Sequence, residues 1–113
     1  MIYKMYDIVL VPFPFTDSPK AKLRPALVVS STQSFSTKIG HSVLAMITSA
    51  ENDPWPLDVL IKNLEIAGLS KSSVVRMKLF TLDHRLIEKT IGTLSADDKG
   101  AIKKTLKSLF KEL

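Results

Sequence analysis

Three runs of this chain are apolar at almost every position instead of at alternate ones: Asp7 to Phe13, Ala26 to Ser30 and His41 to Ser49. A strand covered on one face alternates apolar with polar, so strands of this kind must be covered on both. That requirement fits a small barrel whose outer surface packs on a second subunit better than it fits a monomeric sandwich. Pro12 and Pro14 bring no amide hydrogen to a ladder, so the first strand should end on an edge or leave the sheet there.

The segments that follow complete such a sheet. Leu57 to Ile61 reads as a strand after a loop forced by Pro54 and Pro56, and Gly68 marks a turn. Val74 to Thr81 alternates, with Val75, Met77 and Leu79 on one face and Arg76, Lys78 and Phe80 on the other. Asp83 to Leu86 fits one helical turn, and Lys89 to Leu94 a short strand. Thr16 to Lys22 and Ser31 to Gly40 read as polar connections. Ser95 is suited to cap a helix, with Asp97 and Asp98 at its positive end. Ile102, Leu106, Leu109, Phe110 and Leu113 then make one apolar stripe, while Lys103, Lys104, Lys107 and Lys111 take the wet side. The expectation is a single domain over residues 1–113, mostly β with some α+β character: a small barrel followed by a helix.

Composition narrows the chemistry. The chain has no cysteine, which excludes disulfides and thiolate metal sites. His41 and His84 stand in dissimilar contexts and read as structural, so neither a metal nor a cofactor is expected. The first apolar run contains prolines and lacks a cleavage pattern, and no run reaches the roughly 20 residues that cross a bilayer. A cytoplasmic protein without a membrane partner is expected. A formal charge of +5 suits a polyanionic partner. Lysines that merely solvate a C-terminal helix explain the same charge.

No nucleophile elbow, Walker loop, dinucleotide fingerprint or HExxH is present, and nothing favours a Ser-His-Asp triad. What stands out is Arg24, held by Pro25 at the mouth of a buried strand, with Thr48 near the end of another and Arg76 on an alternating one. A guanidinium grips phosphate through two hydrogen bonds at once. RNA carries its own nucleophile, the 2′-hydroxyl, so cutting it needs a cation, a donor and a splayed backbone. Two arginines and a hydroxyl supply most of that without metal. Each also has an ordinary reading, as an exposed arginine, a strand threonine and half of an ion pair.

The runs Asp7-Ile8-Val9-Leu10-Val11-Pro12-Phe13-Pro14-Phe15-Thr16-Asp17, Leu23-Arg24-Pro25-Ala26-Leu27-Val28-Val29-Ser30 and Ile47-Thr48-Ser49 closely resemble the MazF/PemK toxin family. Ser73-Val74-Val75-Arg76 and Leu79-Phe80-Thr81-Leu82-Asp83 extend the resemblance, and the C-terminal helix ends it in the expected place. It implies an SH3-like β-barrel of the CcdB/MazF kind with a C-terminal α-helix, a homodimer, and the toxin half of a type II toxin–antitoxin pair. It also implies metal-independent, sequence-selective cleavage of single-stranded RNA, blocked by a cognate antitoxin. Arg24 would contact the scissile phosphate, Thr48 would hydrogen-bond it, and Arg76 would act as acid or phosphate stabiliser. Lys20, Lys22, Lys78 and Phe80 are candidate RNA contacts, Phe80 alternatively a dimer-interface residue. Trp55 is a stacking or loop-anchoring candidate.

Two positions depart from the family pattern. Tyr6 stands where a glycine usually precedes the first strand, and Lys78 stands where one branch carries a proposed aspartate base. A lysine protonated at neutral pH cannot take a proton. Asp17 and Glu51 are the alternative bases. The competing readings are a gyrase poison like CcdB, which cuts nothing, and a weakened member that only binds RNA or antitoxin. The C-terminal Trp-Gly-Ile on which CcdB-like poisons depend is replaced here by Lys111-Glu112-Leu113.

Overall fold

The computed structural model describes residues 2–13 and 22–113. Its strands are β1 (Asp7–Phe13), β2 (Lys22–Val28), β3 (His41–Ser49), β4 (Val59–Leu60), β5 (Ser73–Asp83) and β6 (Lys89–Thr93). All pair antiparallel, in the order β4-β5-β3-β2-β1-β6, and the sheet curls into a half-barrel. The helices are α1 (Thr37–Ile39), the single turn α2 (Leu64–Ala67) and the long C-terminal α3 (Ala96–Leu109). The mostly-β plan with a final helix is the one expected. The turn at α2 was not foreseen, because four residues are too few to show a helical period.

Both faces of the sheet are buried, which is why the runs are apolar at successive positions. One face gathers Ile8, Leu27, Ala45, Ile47 and Val75 against Ile102 of α3. The other gathers Val9, Val11, Val28 and Leu44 under Tyr3, Leu82 and Ile87. Neighbouring residues of one strand thus enter different cores. The second cover comes from the chain's own N-terminal segment and the turn after β5. Between β3 and β5 the register jumps from Ala45–Leu79 to Met46–Arg76, so Met77 and Lys78 bulge out of the ladder.

Tyr6 adopts the left-handed conformation, φ 75°, that glycine takes most easily, which fits the glycine expected here from the family pattern. It is held there by hydrogen bonds from its N–H to the Val28 carbonyl (2.8 Å) and from the Leu94 N–H to its own carbonyl (3.2 Å). Its ring packs on the first core, with the Lys99 ammonium 5.7 Å from the ring centre.

α3 begins as expected, with the Ser95 hydroxyl accepting from the Asp98 N–H at 3.2 Å. Asp98 does more than complement the helix dipole. Its buried carboxylate accepts the Lys62 N–H (3.1 and 3.2 Å) and the Asn63 N–H (3.1 Å), tying α3 to the chain entering α2. Only the first half of the apolar stripe is used: Ile102 is fully buried, whereas Phe110, past the helix end, remains 49% exposed. Asp98→Ala strands two amides and should lower the unfolding free energy by about 3 kcal/mol in a denaturant titration. Asp98→Asn, which keeps an acceptor, should cost less.

Under the second core runs a chain of hydroxyls. Ser42 Oγ lies 2.7 Å from His84 Nε2 and donates to Ser36 Oγ at 3.2 Å, and Ser30 Oγ lies 2.8 Å from Ser36 Oγ. Ser30 Oγ in turn accepts the Val43 N–H at 3.0 Å. The His84 ring meets Tyr3 edge-on at 4.9 Å. Burial holds the His84 imidazole below its ordinary pKa, and the nearby His41 pushes the same way. Between the folded value and about 6.5 the unfolded chain therefore binds more protons. Stability contributed by neutral His84 is complete above that range and is lost as the pH falls through it. Melting temperatures measured from pH 7.5 to 5 should decline, and His84→Gln should flatten the slope.

Candidate active site

β2 and β3 are paired only from Val28–Leu44 to Ala26–Met46. The next residue on β2 is Pro25, which has no N–H to continue a ladder. Beyond it the strands part around a cleft of about 380 Å³. Arg24 and Thr48 each lie two residues past the last pair, and both line the cleft. The structure thus brings these two residues to one cleft, at the place where a ladder stops.

The rest of the lining divides by chemistry. Leu10, Ile47, Leu69 and Ile91 are apolar, Ser49, Ser70 and Ser73 add hydroxyls, and Lys71 and Lys89 add two cations. No carboxylate is among the described lining residues. One wall, Gly68 to Lys71, is set by close backbone contact. A Cβ on Gly68 would collide with the Ile91 carbonyl, and one on Gly92 with the Ala67 carbonyl. Gly68, at φ 73°, also ends α2 in the left-handed conformation.

Arg24 is exposed and makes no ion pair among the described residues. Thr48 Oγ1 accepts a hydrogen bond from Asn52 Nδ2 at 2.6 Å. That leaves the threonine's own hydrogen to be donated, which is what a phosphate oxygen needs. Asn52, Lys71 and Lys89 were not singled out from sequence. Lys71 and Lys89 sit in unremarkable polar contexts, and only the turn after α2 and the β1–β6 pairing bring them beside Arg24.

Arg76 does not line the cleft. It is buried, and its fork grips Asp58 at 3.2 Å (Nε to Oδ1) and 3.0 Å (Nη2 to Oδ2), while Nη2 also donates to the Asp53 carbonyl at 2.8 Å. The guanidinium carbon lies 4.9 Å from the centre of the Trp55 ring. Hydrogen bonding by Arg76 holds the Asp58 carboxyl below the usual carboxylate range. The side chain expected at a phosphate is committed to the loop between β3 and β4.

Lys22 is exposed at the start of β2. Lys78 is exposed in the bulge, and Phe80 is half-buried against the second core; neither lines the cleft. Lys20 and Asp17 lie outside the described residues. Glu51 is exposed three residues after Thr48. Ser42 and His84 are within hydrogen-bonding distance, but Ser42 is fully buried, which removes it from any substrate. No group of three or more possible metal ligands occurs among the described residues.

The chain matches, over residues 4–110, the family model described as the PemK-like, MazF-like toxin of type II toxin–antitoxin systems. No curated protein sequence matches it significantly. Among solved structures it is similar to MazF of Deinococcus radiodurans, at 19% identity and a TM-score of 0.75, with 98% of each chain covered. A MazE–MazF structure from the same organism gives 20% identity and a TM-score of 0.77, again over 98% of each chain. An endoribonuclease from a mycobacterial species, in complex with its cognate antitoxin, gives 13% identity and a TM-score of 0.74, covering 97% of this chain and 94% of that one. These structural likenesses carry the fold, and the family match carries the membership. The chain belongs to the PemK-like, MazF-like family of type II toxin–antitoxin toxins.

Proposed function

We propose that this toxin is a metal-independent endoribonuclease that cuts single-stranded RNA, mRNA included, in a sequence-selective way. The observation that carries this reading is the cleft where β2 and β3 part, lined by both Arg24 and Thr48. The 2′-oxygen attacks its own phosphorus, an O2′–P bond forms and the P–O5′ bond breaks. The products are a 2′,3′-cyclic phosphate and a 5′-hydroxyl, whose leaving oxygen takes its proton from solvent water at the open cleft. Arg24 neutralises the charge that builds on the non-bridging oxygens, and Thr48, held by Asn52, donates to one of them. Lys71 and Lys89 hold the phosphates on either side. Lys22, at the entrance, adds a further backbone contact.

The 2′ proton needs a base outside the cleft lining. Glu51, exposed just beyond Ser49, is the described carboxylate closest in sequence to Thr48 and takes that role in this reading. Arg76 works through the loop that carries Asn52 and not at the phosphate. The toxin acts in the cytoplasm as a homodimer that a cognate antitoxin inhibits, which is what its family implies.

Purified protein incubated in EDTA with a long mixed-sequence RNA should yield fragments with cyclic-phosphate and 5′-hydroxyl ends. Arg24→Ala should lower kcat at least 100-fold while the melting temperature stays within a few degrees. RNA left intact across varied sequences would overturn the enzyme reading, and intact but bound RNA would point to a toxin that binds without cutting.

A further inference from the structure

The loop between β3 and β4 holds one aromatic side chain with more fixings than a surface loop requires. Trp55 stands between Pro54 and Pro56, which restrict the backbone on both sides. Its N–H donates to Asp58 Oδ2 at 2.9 Å, and its carbonyl accepts the Asp58 N–H at 3.3 Å. The same Asp58 carboxylate receives the fork of Arg76, whose guanidinium lies against the indole. Leu57 meanwhile takes a strained left-handed conformation, φ 66°. Yet Trp55 is 45% exposed. An anchor that existed only to pin the loop would be expected to bury its ring. Here a buried cation is spent on holding the ring still while much of its surface stays in water.

The loop also connects to the cleft. It leaves β3 just after Thr48, and Asn52 bonds back to Thr48. Trp55 is three residues further on, which at full extension is at most about 10 Å. The ring is therefore carried on the loop that Asn52 ties to the Thr48 side of the cleft. Single-stranded nucleic acids are held by stacking unpaired bases on aromatic side chains, and a rigid ring stacks at less entropic cost than a mobile one.

We propose that Trp55 is a base-stacking platform for a nucleotide adjacent to the one cut, and that Arg76 and Asp58 are its mount. This rests on the RNA-cutting reading of the cleft. Stacking on one indole explains why Arg76 is buried beside Trp55 instead of standing at the phosphate, and it makes Arg76 a positioning residue.

Trp55 is the only tryptophan of the chain, so its fluorescence reports the proposed contact directly. The wild-type protein is titrated with 2′-fluoro RNA, which lacks the nucleophilic hydroxyl, and with the same strand carrying abasic sites. The expected result is saturable quenching by the first and weaker binding without quenching by the second. With cleavable RNA, Trp55→Ala should raise KM roughly 10-fold with kcat little changed, and Trp55→Phe should restore most of the loss. Bound or cut RNA that leaves the emission unaltered, or a Trp55→Ala protein with wild-type KM, overturns the platform and leaves the enzyme reading standing. RNA that is neither bound nor cut overturns both.

Discussion

The arrest of one hydrogen-bond ladder organises this molecule. β2 continues along β1 as far as Lys22, but along β3 it stops at Ala26, next to a residue that has no N–H to give. An unpaired stretch of central strand would ordinarily be a liability, because its polar backbone groups lose their partners. Placed at the mouth of the curl, it stays in contact with water and opens a cleft. The same proline that ends the pairing sets Arg24 at the rim, on a strand still held firmly from its β1 side. A flexible cation thereby acquires a fixed base.

The rest of the fold keeps that opening in shape. Both faces of the sheet are filled by the chain itself, so β2 and β3 cannot slide without exposing one core or the other. The α2 turn is pressed on β6 at Gly68 and Gly92 so closely that side chains there would collide with backbone, which fixes the far wall and its lysine. On the near side, the Arg76–Asp58 pair holds the loop that carries Asn52. A buried ion pair is weak support for stability in general, since desolvation offsets much of the attraction. Its value here is geometric: it decides where a loop next to Thr48 can be.

The strands were legible in the sequence because their signal is local. β3 coincides with the run read from His41 to Ser49, and the turn at His84–Leu86 and the cap at Ser95 fall where composition places them. The double-sided burial was readable too, though not its source, since nothing local shows that Tyr3 and Ile87 cover the second core. Arg24 and Thr48 could be named as candidates from their strand-end positions. Asn52, Lys71 and Lys89 could not, because their importance comes from pairings between segments far apart in the chain. Arg76 shows the limit most clearly. Its sequence neighbourhood is the same whether it faces a phosphate or Asp58, and only the fold of the 50–58 loop decides between them.

If Arg24 and Thr48 serve one phosphate, their effects on catalysis cannot be independent. A double-mutant cycle on kcat/KM, using wild-type protein, Arg24→Ala, Thr48→Val and the pair together, measures this directly. The double variant should lose little more than the worse single variant, because the second change acts on a phosphate already without its clamp. Losses that simply multiply would show that the two residues work at separate places, and that the cleft between β2 and β3 is not a single site.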